Sequence, residues 1–180
     1  MNFAEKFLKN VTHVKGHAVG FRIDQVLLPN KKKGYRDYLD HPGAVGVLPF
    51  LSHDKILLVQ QYRFPVRQLT WEIPAGKLDK GENPLLCVKR ELAEETGYTA
   101  GRVQKLLSFW PTAAFANEVI HLYTASRLKR GKTNPDEDEF VRCRIWTLKE
   151  ALRAIQKGKI KDSKTIIALL MGSSPDIGHF

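Results

Sequence analysis

The stretch from Gly76 to Tyr98 constrains this 180-residue chain more than any other. Five residues separate Gly76 from Glu82, and seven more lead to the run Arg90-Glu91-Leu92-Ala93-Glu94-Glu95-Thr96-Gly97. Pro84 suits the first turn of a helix, which has no use for its missing N–H, and Gly97 supplies a stop. The pattern therefore predicts a helix over 84–96, entered from a polar loop at 77–82 with turn glycines Gly76 and Gly81. At roughly 100° per residue, Glu91, Glu94 and Glu95 fall within an arc of about 100°. Leu85, Val88 and Leu92 occupy the adjoining arc and are expected to face the core. Like charges at i, i+3 and i+4 destabilise an isolated helix. A divalent cation reverses that penalty, and carboxylate oxygens suit hard ions such as Mg²⁺ or Mn²⁺ that bridge protein to phosphate. An acidic solvated helix neutralised by Lys89 and Arg90 is the plainer alternative, but the glycine loop and the placed Glu82 argue against it.

The remainder of the chain reads as a mixed α/β protein. Ala18 to Leu28 and Tyr35 to Leu39 are two extended stretches around the loop at Pro29-Asn30, and His41-Pro42-Gly43 is a break. Ala44 to Leu51 and Lys55 to Tyr62 flank the polar turn Ser52-His53-Asp54 and are expected to pair as a hairpin. Strands are further expected at 69–73, 103–110, 119–125 and 140–146, with helices at 148–156 and 163–171. This order points to a mixed sheet with helices on its faces. Residues 1–42 form a β-rich N-terminal extension and 43–180 the main domain.

Composition narrows the classes. With 43 % hydrophobic residues the chain has material for a normal core. No apolar run approaches the length of a membrane span, so no membrane association is expected. Residues 1–15 lack the apolar core of a secretory signal. Cys87 and Cys143 lie far apart without metal-type spacing, which is the usage of a reducing cytoplasm. The net charge of +10 suits an anionic ligand. Its concentration in Lys31-Lys32-Lys33 and 127–132, without interleaved aromatics, favours solvated loops over a nucleic-acid face.

The segment 76–98 resembles the Nudix box, Gly-x5-Glu-x7-Arg-Glu-(apolar)-x-Glu-Glu-x-Gly-(apolar), with both gaps intact and Tyr98 a variant of the usual aliphatic residue. That resemblance implies an α/β/α sandwich on a mixed sheet and hydrolysis of a nucleoside diphosphate linked to another group. It implies Glu91 and Glu95 as the principal metal ligands and Glu94 as a further ligand or water-mediated contact. It also implies Glu82 and Arg90 as the pair that locks the loop to the helix. The likeness outside the box is to ADP-ribose pyrophosphatases and related nucleoside diphosphate sugar hydrolases. It runs through Arg36, His41 to Val45, Gln60 to Arg63, Trp71 to Gly76, Phe115 to Glu118, His121 to Tyr123, Asp136 to Phe140, and Gly158 to Leu170. In that subfamily the carbonyl before the box glycine contacts metal, which here is Ala75.

The same resemblance implies Glu137 as the base for the attacking water and Glu139 as a metal contact. It also implies an N-terminal subdomain that crosses to a partner in a homodimer. Arg63 is suited to clamp a diphosphate bidentately, or is an ordinary surface arginine. Glu72 could accept hydrogen bonds from base or sugar, or form a salt bridge with Arg63. Trp71 or Phe21 could stack on a nucleobase, or pack in the core. One departure is plain: Ala113-Ala114-Phe115 stands where the subfamily usually has Pro-Gly-Phe. This leaves GDP-mannose or broad nucleotide-sugar action open, beside an RNA-cap or nucleoside triphosphate pyrophosphohydrolase and a binding module without catalysis.

Overall fold

The computed structural model describes residues 2–131 and 140–174. These fall into two compact units, residues 2–43 with Trp110–Val119, and Ala44–Phe109 with the described residues from Ile120 onward.

In the first unit, β1 (Lys6–Lys15), β2 (Gly20–Leu27) and β3 (Lys33–Asp40) make an antiparallel sheet in the order β1-β2-β3. The sequence suggests only the last two strands. β1 escapes notice because almost all of it is exposed, Phe7, Val11 and Val14 included, so burial imposes no alternation on it. Asp24 is buried at the middle of this sheet, accepting hydrogen bonds from Asn10 (2.9 Å) and Tyr38 (2.7 Å). These bonds hold its carboxyl below the usual range. Residues 110–119 dock on β3: Leu39 N–H donates to the Phe115 carbonyl, and Asn117 N–H to that of Leu39. The Asn117 amide completes the tie, accepting from His41 N–H at 2.8 Å and donating to Asp40 at 2.7 Å.

The second unit carries two sheets. A mixed four-stranded sheet runs β7 (Ala75–Lys77), β4 (Ala44–Pro49), β9 (Ile120–Arg130), β8 (Tyr98–Phe109), with β4 and β9 parallel. An antiparallel three-stranded sheet runs β10 (Arg142–Thr147), β5 (Lys55–Arg63), β6 (Gln68–Glu72). The expected hairpin between 44–51 and 55–62 does not form. Chain reversal occurs, with Leu51 N–H bonded to the Lys55 carbonyl, yet β4 and β5 enter different sheets, and the backbone pairing between the two segments among the described residues is a bridge from Phe50 to Ile56. β4 and residues 56–59 of β5 are apolar on both faces, and such stretches take central positions with partners on each side.

Alternation along β4 divides the core. Val45 and Val47 pack with Tyr123 and Ala125 of β9 against Cys87, Val88 and Leu92 of α1 (Pro84–Thr96). Leu48 and Phe50 turn the other way, joining Ile56, Leu58 and Leu122 against Ala151 and Ala154 of α2 (Leu148–Gln156) and Ala168 and Leu169 of α3 (Ser163–Gly172). Helices thus cover both faces, an α/β/α arrangement in which each fully buried aliphatic or Phe side chain contributes about 1.5–3 kcal/mol. No helix among the described residues is long and apolar enough to cross a membrane.

Helix α1 begins and ends where its chemistry directs. The Asn83 side chain accepts the Leu85 N–H at 2.8 Å, Pro84 opens the first turn, and Gly97 closes the helix at φ 72°, a conformation glycine adopts without steric cost. Val88 and Leu92 face the core as expected, whereas Leu85 is exposed, and the buried residues are Cys87, Val88, Glu91, Leu92, Glu95 and Thr96.

Candidate functional site

Two of the box glutamates lie inside the protein. Glu91 and Glu95, one turn apart, are only 6 % and 5 % exposed. They face the backbone where β6 gives way to β7. Pro74 anchors that segment by accepting the Val47 N–H at 2.9 Å, and the Ala75 N–H donates to the Glu95 carboxylate at 3.2 Å. At Gly76 a Cβ would stand 1.9 Å from Glu91 Oε1, so glycine is what lets the carboxylate approach the chain. The Ala75-Gly76 backbone therefore borders both carboxylates.

Arg90 organises the outer edge of this cluster. Its Nε and Nη2 form a fork on Glu82 at 3.2 and 3.1 Å, and its Nη1 reaches Glu91 at 2.7 Å and Glu94 at 3.0 Å. Glu82 also accepts the Asp79 N–H at 3.1 Å, which folds the 77–82 loop onto the helix. The Arg90 hydrogen bonds, followed by that from Asp79, hold the Glu82 carboxyl at about 2. The Glu82 hydrogen bonds in turn raise Arg90 further above its ordinary value.

The donors here, the carboxylates of Glu91, Glu94 and Glu95 with the Ala75 carbonyl, are all hard oxygens, the set a divalent cation of the magnesium type takes. Among the described residues no three acidic, His or Cys side chains converge closely enough to hold an ion as they stand. Arg90 Nη1 already engages Glu91 and Glu94, so their closing on one ion requires it to release them. Donor chemistry fits the cation; the present rotamers favour the arginine.

A second charged group lies on β5, β6 and the start of α3. Arg63 forks onto Glu72 at 2.8 and 2.7 Å. Glu72 is 1 % exposed and takes further hydrogen bonds from Thr70 and from the buried Lys164. Burial alone would push the Glu72 carboxyl up, but the hydrogen bonds of Arg63 and the charge of Lys164 outweigh it and hold it at about 2. Trp71 packs edge-on against Trp146, centroids 5.2 Å apart, beside the core formed with α2 and α3. Phe21 and Arg36 belong to the N-terminal unit: Phe21 is exposed, and Arg36 forks onto Glu5. Glu137 and Glu139 lie outside the described residues. Lys164, Asp162 and Thr165 carry no mark in the sequence beyond the wider likeness over residues 158–170. No local spacing marks Lys164, which sits 92 residues from the carboxylate it meets.

The NUDIX domain family matches residues 40–169, most of the chain and all of the glutamate cluster. The chain belongs to the NUDIX family. This NUDIX protein is 40 % identical over 167 residues to an ADP-ribose pyrophosphatase of Bacillus subtilis (strain 168), covering 92 % of this chain and 90 % of the relative. It is 45 % identical over 169 residues to a methanol dehydrogenase activator of Bacillus methanolicus, covering 93 % and 91 %. A solved structure described as an ADP compounds hydrolase superposes with a TM-score of 0.83 at 18 % identity, covering 95 % of this chain and 94 % of that one. That likeness, together with the NUDIX family match, establishes the α/β/α fold of the family.

Proposed function

We propose that this NUDIX protein hydrolyses the diphosphate bond of nucleoside diphosphate sugars such as ADP-ribose, giving a nucleoside monophosphate and a sugar phosphate. The observation that carries the proposal is the pair of buried carboxylates, Glu91 and Glu95, set against the Ala75-Gly76 backbone in a chain 40 % identical to an ADP-ribose pyrophosphatase. Arg90 offsets the charge of Glu91 in the present arrangement, and a divalent cation would offset both carboxylates together.

In this proposal Glu91, Glu94, Glu95 and the Ala75 carbonyl hold divalent metal, with Mg²⁺ the preferred ion and Mn²⁺ a substitute. When bound, the cation supplies charge neutralisation of the diphosphate and acidification of the attacking water. The chain's own residues do the remainder. Gly76 leaves room for Glu91, Gly97 ends α1 just past Glu95, and Glu82 with Arg90 fixes the loop against the helix. Arg63 presents its guanidinium to the diphosphate, oriented by Glu72. Glu137 serves as base for the water, and Glu139 adds a metal contact. Trp71, Phe21 and Arg36 are proposed contacts of the nucleotide sugar.

The proposal includes a homodimer formed through residues 1–42, supported by the apolar side chains that the N-terminal unit exposes, Phe7, Val11, Val14 and Phe115 among them. A reducing cytoplasm suits its two free thiols, Cys87 and Cys143. Sedimentation velocity tests the dimer; a monomer at micromolar concentration removes it. Release of AMP from ADP-ribose with Mg²⁺, measured beside GDP-mannose, dATP and capped RNA, tests the activity. Faster turnover of dATP or capped RNA would displace nucleotide sugars as the substrate class. Likeness to the methanol dehydrogenase activator supports a second role, stimulation of a dehydrogenase, tested by adding the protein to an alcohol dehydrogenase assay.

A further inference from the structure

Side chains of the first turn of α3 reach the end of β6 and its Glu72. Asp162 caps the helix, accepting the Thr165 N–H at 2.9 Å and the Thr165 hydroxyl at 2.6 Å. Thr165 Oγ1 accepts the Ile73 N–H at 2.9 Å, which pins the end of β6. Lys164, buried beside them, donates to Asp162 at 2.9 Å and to Glu72. Glu72 thus stands between two cations, Lys164 on the inside and Arg63 on the outside.

The Arg63 fork uses Nε and Nη2 alone. Among the described residues its Nη1 donates to nothing, and the side chain is 42 % exposed. Hydrogen bonds to Glu72 foremost, then the charges of Glu72, Asp162 and Glu95, raise Arg63 further above its ordinary value. Ile73, held by Thr165, stands two residues before Ala75, whose N–H donates to Glu95, so this charged group and the box carboxylates share one backbone segment.

A guanidinium paired with one carboxylate is a neutral unit with little pull on an anion. Here the Glu72 charge is shared with Lys164. The Asp162 charge is partly offset by the α3 N-terminus it caps. We infer that Lys164 is a positioning residue for diphosphate binding: by taking up the negative charge of Glu72 it leaves Arg63, locked in its fork, with a net positive edge turned to the ligand. This rests on the proposed function only for the identity of the ligand. The device itself requires only that the ligand carry a diphosphate.

Lys164→Gln retains donors for both carboxylates and removes the charge; Lys164→Arg restores the charge. The first readout is calorimetric binding of inorganic pyrophosphate to each variant, and the second is KM and kcat for ADP-ribose with Mg²⁺. Loss of one partly screened charge is expected to weaken pyrophosphate binding and raise KM about tenfold in Lys164→Gln. The change in kcat should stay below about threefold, and Lys164→Arg should recover wild-type binding within about threefold. Because Lys164 acts through Arg63, Arg63→Gln/Lys164→Gln should bind no more weakly than Arg63→Gln alone.

Unchanged pyrophosphate binding in Lys164→Gln, penalties that multiply in the double variant, or wild-type protein that binds no pyrophosphate would each overturn the inference. Should Lys164→Gln not fold, Lys164→Met and the recovery by Lys164→Arg carry the same comparison. Pyrophosphate binding that depends on Lys164 in a protein inert toward ADP-ribose would sink the proposed function and leave the charge device standing. Turnover with KM indifferent to Lys164 would do the reverse.

Discussion

Gly76 and Glu91 share one space: a β-carbon on the glycine would lie 1.9 Å from Oε1 and 2.0 Å from Cδ of the glutamate. The clash falls on the movable end of a side chain, so the fold can absorb it by turning Glu91 away. Gly76→Ala is therefore expected to keep its thermal transition within a few degrees while losing about 100-fold or more in kcat/KM. Equal losses of activity and of folded protein would mean that the glycine serves the backbone instead.

Glu95 accepts the Ala75 N–H at 3.2 Å, a bond that the amide of glutamine can also accept. Glu95→Gln should thus fold normally and, with one fewer buried charge, match or exceed wild-type stability in urea. Its activity should fall at least about 100-fold at saturating Mg²⁺. Full activity in this variant would remove the glutamate from the metal centre.

Arg90 holds Glu82, Glu91 and Glu94 together. Arg90→Ala leaves three carboxylates without it and should cost about 1–3 kcal/mol in metal-free buffer, as expected for lost charge-assisted hydrogen bonds. A cation replaces part of what the arginine supplied. Millimolar Mg²⁺ should then raise the melting temperature of Arg90→Ala more than that of the wild type, as read by scanning calorimetry. An equal rise in both would show that the ion does not reach the carboxylates Arg90 vacates.

The Glu72 carboxyl is held at about 2, against an ordinary 4.5. A carboxyl depressed on folding contributes stability in full above its unfolded value, and that contribution fades as pH falls from 4.5 toward 2. Glu72→Gln should cost about 3 kcal/mol at pH 7, since a buried pair loses one partner. The difference from wild type should shrink progressively below pH 4.5 in urea titrations. A constant difference down to pH 2.5 would contradict the depressed value.

Local chemistry was legible along the chain wherever one residue acts on its neighbours. Helix α1 spans the predicted residues 84–96, because Asn83, Pro84 and Gly97 act within a turn of its ends. Helix α2 covers the predicted 148–156, capped by Thr147 and Glu150. The spacing that brings Glu82 onto Arg90 is also local, eight residues across a single loop. β1 could not be read the same way. Its apolar residues are exposed, and a strand that buries nothing leaves no periodic trace.

By itself the sequence determined the family, the box helix and the acidic residue types that a cation would meet, all of them properties of one short segment. Tertiary structure alone decided which sheet β4 and β5 would join, since the stretches at 44–49 and 56–59, apolar on both faces, pair equally well with many partners. It also decided that Glu91 and Glu95 face inward, and that Lys164 meets a carboxylate 92 residues away. A buried charge is placed by whatever long-range partner offsets its desolvation, and such a partner is found only when the core closes.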